Sequence, residues 1–153
     1  DWSSDVCSSD LVKRGASVIM TREGDDDLWP RDRVEIIEEQ EPDLALSVHY
    51  NALPDYGDAM NTQGIGTFWY HPQAHGLAVF LHNYLTEKLR RPSYGVFWNN
   101  LALARPAIAP SVLLELGFMI NPYEFEWIMD PVEQQRLAEA LADGVVEWVE
   151  QAE

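Results

Sequence analysis

A short apolar strand that ends in a carboxylate constrains this chain more than any other feature. Residues 112–114 form the run Val-Leu-Leu, which is too short for a helix and is bounded by Pro110 and Gly117. Such a run is typical of a strand buried on both faces of a sheet. Glu115 follows it directly, and burial of an unpaired carboxylate is costly unless its pKa shifts. We therefore expect Glu115 to have a partner or a chemical role at the carboxyl end of this strand, where open α/β sheets bind ligands.

A second apolar segment ends in a similar way. Residues 43–51 read Asp-Leu-Ala-Leu-Ser-Val-His-Tyr-Asn, and Pro54 and Gly57 then mark a loop. His49 therefore leaves its strand at the carboxyl end, as Glu115 does. Neutral imidazole is a common zinc ligand, and a carboxylate can act as general base in metal-assisted hydrolysis. From the residue types alone, however, a structural hydrogen-bonding role would be the default for both side chains.

Strand and helix patterns alternate along the chain. The chain of 153 residues is long enough for one domain with its own core. The alternation predicts a three-layer α/β domain with a mostly parallel or mixed central sheet flanked by helices. We expect strands at residues 17–21, 43–49, 64–70 and 112–114, and helices at residues 28–40, 74–90, 121–127 and 131–149.

An aromatic, turn-rich segment at residues 92–100 admits two interpretations. It contains Tyr94, Phe97 and Trp98. These rings would suit stacking against a sugar or a peptide, and they would equally suit packing in the core. The sequence does not decide between the two.

Three histidines other than His49 are weaker candidates for a site. His75 and His82 are two helical turns apart in the predicted helix at residues 74–90, and His82 falls on its polar side. Without a nearby acid or cysteine, we expect both to be exposed. His71 lies next to a strand end and has a better claim to line a cleft.

The charge of the chain excludes some classes of partner. The formal net charge is −16, and the ten basic residues are scattered. Nucleic-acid binding requires clustered Lys and Arg, so we expect no nucleic-acid partner. No apolar run approaches the length that spans a bilayer, so we expect no transmembrane segment. The single cysteine, Cys7, excludes an intramolecular disulfide.

The first residues differ in character from the rest. Residues 1–10 contain four Ser and three Asp and have no helical or strand periodicity, so we expect them not to pack. Their wording, with Leu11, resembles a translated sequencing-adapter remnant. We therefore predict that residues 1–11 are a non-native or disordered tail and that the domain spans residues 12–153.

Several motifs together resemble one known family. Residues 43–51 resemble the D-x-x-x-S-I-H-A-N strand of the zinc-dependent N-acetylmuramoyl-L-alanine amidases of the Amidase_3 type, and residues 110–121 resemble their P-x-V-L-V-E-x-G-F-x-x-N motif. The resemblance runs in order from about Leu11 to Trp148. Supporting matches are Thr21-Arg22, Arg33, Gly64-Ile-Gly66 before an aromatic strand, and Gln134-Gln-Arg-Leu-Ala138.

The resemblance implies an activity and a site. The family cleaves the amide between N-acetylmuramic acid and L-alanine in peptidoglycan. By this resemblance His49 is a ligand of Zn²⁺ and Glu115 is the catalytic glutamate. It also implies action in the cell envelope, periplasmic or extracellular, with a possible activator or wall-binding domain outside this chain.

The resemblance is incomplete at the amino terminus. The family's other zinc ligands, a histidine in a Gly-His-Gly motif and a glutamate in the next helix, are expected upstream of Leu11. This implies a domain that lacks its first strand and helix, and we expect the chain of 153 residues to be inactive by itself. Two other functions stay open: a zinc carboxypeptidase-like peptidase of related fold, and a catalytically dead domain that binds the cell wall or regulates a true amidase.

Overall fold

Helices and strands alternate in the computed structural model, which describes residues 2–25 and 27–152. The α-helices are α1 (Trp2–Lys13), α2 (Pro30–Gln40), α3 (Pro72–Leu89), α4 (Pro122–Met129) and α5 (Pro131–Ala152). The strands are β1 (Ala45–Asn51), β2 (Ile65–Trp69), β3 (Ser93–Trp98) and β4 (Ser111–Phe118), and a 3-10 turn spans Ala102–Ala104.

The strands form one mixed sheet of order β1-β4-β2-β3. β1 is parallel to β4, β2 is parallel to β3, and β2 and β4 are antiparallel. The predicted class, a three-layer α/β domain with a mostly parallel or mixed sheet, is confirmed. The central strand β4 pairs with β1 on one side and with β2 on the other.

The main core lies between the sheet and helices α3 and α5. Alternate β4 residues point to opposite faces, and Val112, Leu114 and Leu116 face this core. They pack against one apolar stripe from each helix. The stripe of α3 is Leu77, Leu81 and Leu85, and that of α5 is Leu137 and Leu141. Burying each such leucine contributes about 1.5–3 kcal/mol, so these stripes hold the helices to the sheet.

The opposite face of β4 is also covered. Leu113 is buried on this face, and the 3-10 turn contacts both β4 and α2. Ile37 of α2 and Leu103 of the turn are buried. The sheet therefore lies between helical layers, and Glu115 belongs to the face that carries Leu113.

The expectation that the first residues do not pack is wrong for residues 7–10; Asp1 lies outside the described residues. α1 is a helix that contacts α5, and Cys7 and Asp10 are buried. Cys7 and Leu11 are four residues apart, so they share one helical face and join the core. The composition of this segment hid that short apolar stripe. The origin of residues 1–11 and a domain boundary at residue 11 remain predictions.

Two further expectations about strands need correction. Residues 17–21 are not a strand, because a strand requires a paired neighbour and this segment joins no ladder of the sheet. Residues 92–100, by contrast, contain the edge strand β3. Gly95 and Pro92 concealed this strand, because both residues are depleted in strand interiors.

In the part of the chain that the structure describes, none of the helices combines the length and the apolar character needed to cross a bilayer.

Candidate active site

His49 and Glu115 lie side by side in neighbouring strands. The parallel ladder between β1 and β4 pairs His49 with Glu115. Residues paired in this way project from the same face, and adjacent strands are about 4.8 Å apart. The ladder becomes irregular between His49 and Asn51. The two strands are therefore neighbours in the sheet, and β4 continues for three residues beyond Glu115.

Glu115 is a carboxyl group without compensation for its burial. Its Oε2 atom is buried and has no hydrogen-bond partner among residues 2–25 and 27–152. Burial therefore raises the pKa of Glu115 from 4.5 to about 7. A carboxyl group with this pKa is poised to accept and return a proton near neutral pH.

His49 is held in its neutral form. Burial lowers its pKa, and the positive charges of Arg33 and Arg22 lower it further. A neutral imidazole has a free nitrogen lone pair, which is the form that binds a metal ion. The electrostatics at His49 therefore suit a metal ligand better than a cationic acid.

The donor set around His49 is not a complete zinc site. Catalytic zinc sites use three protein ligands and one open position. No group of three His, Cys, Asp or Glu side chains is placed to hold a metal ion in the described ranges. His49 is therefore a single candidate ligand, and a catalytic zinc centre would need further protein ligands besides it.

A buried polar network lies beyond the carboxyl end of β4, and sequence reasoning found only part of it. Asn121 caps α4 by accepting hydrogen bonds from the backbone N–H groups of Tyr123 and Glu124. Its Nδ2 also donates to the Thr62 carbonyl oxygen at 3.0 Å. These contacts join the start of α4 to the loop before β2.

Glu124, in the first turn of α4, is the member of this network that the sequence did not reveal. It is fully buried. Its Oε2 accepts from the backbone N–H of Phe118 at 2.7 Å, and its Oε1 accepts from that of Gly64 at 3.0 Å. The spacing Asn121-x-x-Glu124 was an available signal, because it matches a helix capping box. Here the glutamate holds the ends of the two strands that carry Glu115 and Gly66.

The remaining histidines do not join the pair. The expectation that His82 is exposed is wrong, because it is buried beneath β3, with Nε2 2.7 Å from the Ser93 hydroxyl. His75 is exposed and packs against the ring of Trp69. His71 is half-buried, and its Nε2 lies 2.9 Å from the Arg105 carbonyl oxygen. His71 also lines a shallow depression with Gln73, but this surface is not the His49–Glu115 pair.

The family comparison matches nearly the whole chain. The profile of the Amidase_3 family, N-acetylmuramoyl-L-alanine amidase, matches residues 5–147. The chain belongs to the N-acetylmuramoyl-L-alanine amidase family. The matched range includes both strands that carry His49 and Glu115.

Individual relatives agree with this assignment. The probable cell wall amidase LytH of Staphylococcus aureus is 33% identical over 135 residues, which are 88% of this chain and 43% of LytH. The chain thus spans less than half the length of this curated relative. Among solved structures, the catalytic domain of CwlV, an amidase from Bacillus (Paenibacillus) polymyxa var. colistinus, matches with a TM-score of 0.88 and 26% identity, covering 97% of this chain and 81% of that domain.

A second solved structure has the same fold at lower identity. The CwlD amidase from Clostridioides difficile, solved in complex with the GerS lipoprotein, has a TM-score of 0.88 and 22% identity over 97% of this chain and 83% of CwlD. At this identity the likeness establishes the fold alone. The mixed sheet with flanking helices is therefore the fold of amidase catalytic domains.

Proposed function

We propose that this chain is the catalytic part of a peptidoglycan hydrolase that cleaves the amide between N-acetylmuramic acid and the L-alanine of the stem peptide. The observation that carries this proposal is the pairing of His49 with Glu115 across β1 and β4. Membership of the amidase family supports the choice of bond. The pair provides a neutral imidazole and a proton-exchanging carboxyl group on one face of the sheet.

Glu115 is the proton carrier in this proposal. Amide hydrolysis requires that a proton leaves the attacking water and that one reaches the departing amine. Glu115 accepts the first proton on its carboxylate and returns it to the nitrogen of L-alanine. Its pKa of about 7 supports both halves of this task, because neither protonation state is strongly favoured near neutral pH.

His49 is the candidate metal ligand, and the metal would be Zn²⁺. Its lowered pKa supports this role. When bound, zinc would supply Lewis-acid polarisation of the amide carbonyl. The further ligands would come from the strand and helix that the family carries before the region corresponding to Leu11.

The proposed substrate sets the place of action. Peptidoglycan lies outside the cytoplasmic membrane, so the protein would act in the cell envelope, either in the periplasm or outside the cell. The name of LytH, a probable cell wall amidase, supports this location. CwlD was solved with a lipoprotein partner, and we extend this to a possible activator of the present protein.

The test uses two proteins. One is the chain of 153 residues, and the other is a chimera in which residues 12–153 follow the amino-terminal strand and helix of the CwlV catalytic domain. Both are incubated with purified peptidoglycan, and the new amino termini are identified. Free L-alanine amino termini from the chimera support the amidase.

Two other results would contradict the proposal. New termini inside the stem peptide would identify a peptidase. Binding to peptidoglycan without any product from the chimera would identify a non-catalytic wall-binding domain. Glu115→Gln in the chimera is the control for contaminating hydrolases, since its product must be absent.

A further inference from the structure

The His49–Glu115 pair is half of a row that crosses the entire sheet. Glu115 pairs with Gly66 of β2 on its other side, and Gly66 pairs with Gly95 of β3. Paired residues share a face, so the row reads His49, Glu115, Gly66, Gly95 from one edge of the sheet to the other. Two residues with reactive side chains are thus followed by two residues with none.

The space above the two glycines is filled by aromatic rings. A Cβ atom at Gly66 would lie 3.1 Å from Cδ1 of Tyr94 and 3.4 Å from Cε2 of Phe68. A Cβ atom at Gly95 would lie 2.7 Å from Cζ of Phe97. The aromatic rings therefore occupy the space above the sheet that side chains at Gly66 and Gly95 would otherwise fill. We call Phe68, Tyr94 and Phe97 the aromatic platform.

The platform is one connected surface with a firm support. Phe68 and Phe97 are stacked with 5.3 Å between ring centroids and 27° between planes, and Tyr94 lies 5.3 Å from Phe97. Tyr94 also contacts the edge of Phe118, which is buried. Tyr94 and Phe97 nevertheless keep 40% and 37% of their surface exposed. The rings are fixed by one another and still open to a ligand.

An irregularity in the ladder places Tyr94 on this face. Ile65 pairs with Ser93, whereas Gly66 pairs with Gly95, so Tyr94 is an extra residue in β3. Such bulges re-aim a side chain beside functional sites. The bulge here adds a third ring next to the position of Glu115.

We propose that the aromatic platform binds the pyranose ring of the N-acetylmuramic acid whose amide bond lies over His49 and Glu115; this inference rests on the proposed function. The amide carbonyl belongs to a lactyl group attached to that ring, so ring and carbonyl must occupy adjacent positions. Gly66 lies one strand spacing from Glu115, about 4.8 Å, and Gly95 lies one further. The platform therefore begins where the sugar ring would be.

The chemistry of the platform fits a sugar ring better than a stem peptide. A pyranose presents a face of C–H groups, which packs on aromatic rings, while its hydroxyl groups remain at the edge in water. The acyl group of this sugar is uncharged in the amide. Stem peptides carry carboxylates, which an apolar surface on a chain of net charge −16 does not attract. The peptide would instead extend toward β1.

Binding can be measured without turnover. Saturation-transfer NMR detects which protons of N-acetylmuramoyl-L-alanyl-D-isoglutamine contact the chain of 153 residues, and titration gives its Kd. We expect the strongest transfer to the pyranose ring protons. Absence of binding, or transfer confined to the peptide protons, would overturn the proposal.

Substitutions test whether the aromatic platform makes the contact with the sugar ring. Phe97→Leu and Tyr94→Leu keep an apolar side chain but remove the flat ring, and each should weaken binding about tenfold. Gly66→Ala should weaken binding without removing a ring, because its Cβ displaces Tyr94. The matched control is Trp98→Leu, which alters an exposed aromatic residue on the other face of β3 and should leave Kd unchanged. Equal Kd values in all four variants and the native chain would contradict the proposal, provided that circular dichroism shows each to be folded.

A second arm separates this proposal from the proposed function. The chimera is assayed on the muramoyl peptide and on the corresponding lactoyl peptide, which has the same amide but no sugar. Phe97→Leu should raise KM for the muramoyl peptide about tenfold and leave the lactoyl peptide unaffected. Sugar binding without turnover would refute the hydrolase alone, whereas turnover with equal KM values for both substrates would refute the platform alone.

Discussion

Glu124 forms an ion pair with Arg91 in the interior, with 2.6 Å between Oε1 of Glu124 and a terminal guanidinium nitrogen. The same carboxylate accepts hydrogen bonds from the backbone N–H groups of Gly64 and Phe118. The Arg91 guanidinium also lies 4.6 Å from the ring of Trp127. A single buried carboxylate therefore connects α4 with the ends of β2 and β4 and with the segment after α3.

Removal of this carboxylate should be costly. Glu124→Ala leaves a largely buried guanidinium and two backbone donors without their acceptor, so the free energy of unfolding should fall by about 3–5 kcal/mol. Urea denaturation followed by circular dichroism measures this change. Glu126→Ala, at an exposed position in the same helix, is the matched control and should change stability by less than about 0.5 kcal/mol. A similar loss of unfolding free energy in both variants would show that the buried contacts of Glu124 do not stabilise the fold.

Glu115 should make the stability of the chain depend on pH. Its pKa is about 7 in the folded chain and 4.5 when burial is lost. The folded state therefore binds more protons between these values, and the free energy of unfolding falls as pH rises through that window. Glu115→Gln removes this dependence, so its stability relative to the native chain should be greater at pH 8 than at pH 4. Denaturation curves of both proteins at the two pH values test this; an unchanged difference would mean that folding does not alter the pKa of Glu115.

Cys7 reports on the packing of α1. Its side chain is buried, with 6% of the residue exposed, and burial raises the pKa of its thiol to about 12. The thiolate is the reactive form, so alkylation by iodoacetamide at pH 8 should be slow in the folded chain and fast in concentrated urea. Mass spectrometry gives both rates. Rapid alkylation without denaturant would show that α1 does not dock on α5 in solution.

His49 should control metal uptake in the chimera. The chimera should hold one zinc ion per domain, and His49→Ala should lose it, because the imidazole supplies one of the few bonds to the metal. The chain of 153 residues should bind zinc in less than stoichiometric amounts, since no group of three suitable side chains occurs in its described part. Elemental analysis of the three proteins decides. Stoichiometric zinc in His49→Ala would make His49 a packing residue.

The sequence was informative where one physical requirement dominated. The run at residues 112–114 is apolar throughout because β4 is covered on both faces, and this is why Glu115 stood out. His49 was recognisable because it follows the apolar residues of β1 and precedes a loop. The cap at Asn121 follows from local chemistry alone, since an amide before a proline at the first helical position satisfies two backbone donors.

The sequence was uninformative where distant contacts decide. Glu124 looked like an ordinary acidic residue in a helix, and its burial depends on Arg91 and on two strand ends far along the chain. His82 seemed to lie on a polar face because the strand that covers it, β3, was not recognised. The alignment of Gly66 and Gly95 with Glu115 exists only in the ladder of the assembled sheet.

The most direct test of the central claim is the chemistry of Glu115→Gln in the chimera. The amide side chain keeps the shape of the carboxyl group but cannot carry a proton from water to the leaving amine. Zinc content by elemental analysis and release of L-alanine amino termini from peptidoglycan are measured on the same preparation. We predict one zinc ion per domain and loss of hydrolysis by at least about a hundredfold. Retained zinc with the hydrolysis rate of the parent chimera would contradict the assignment of Glu115 as the proton carrier.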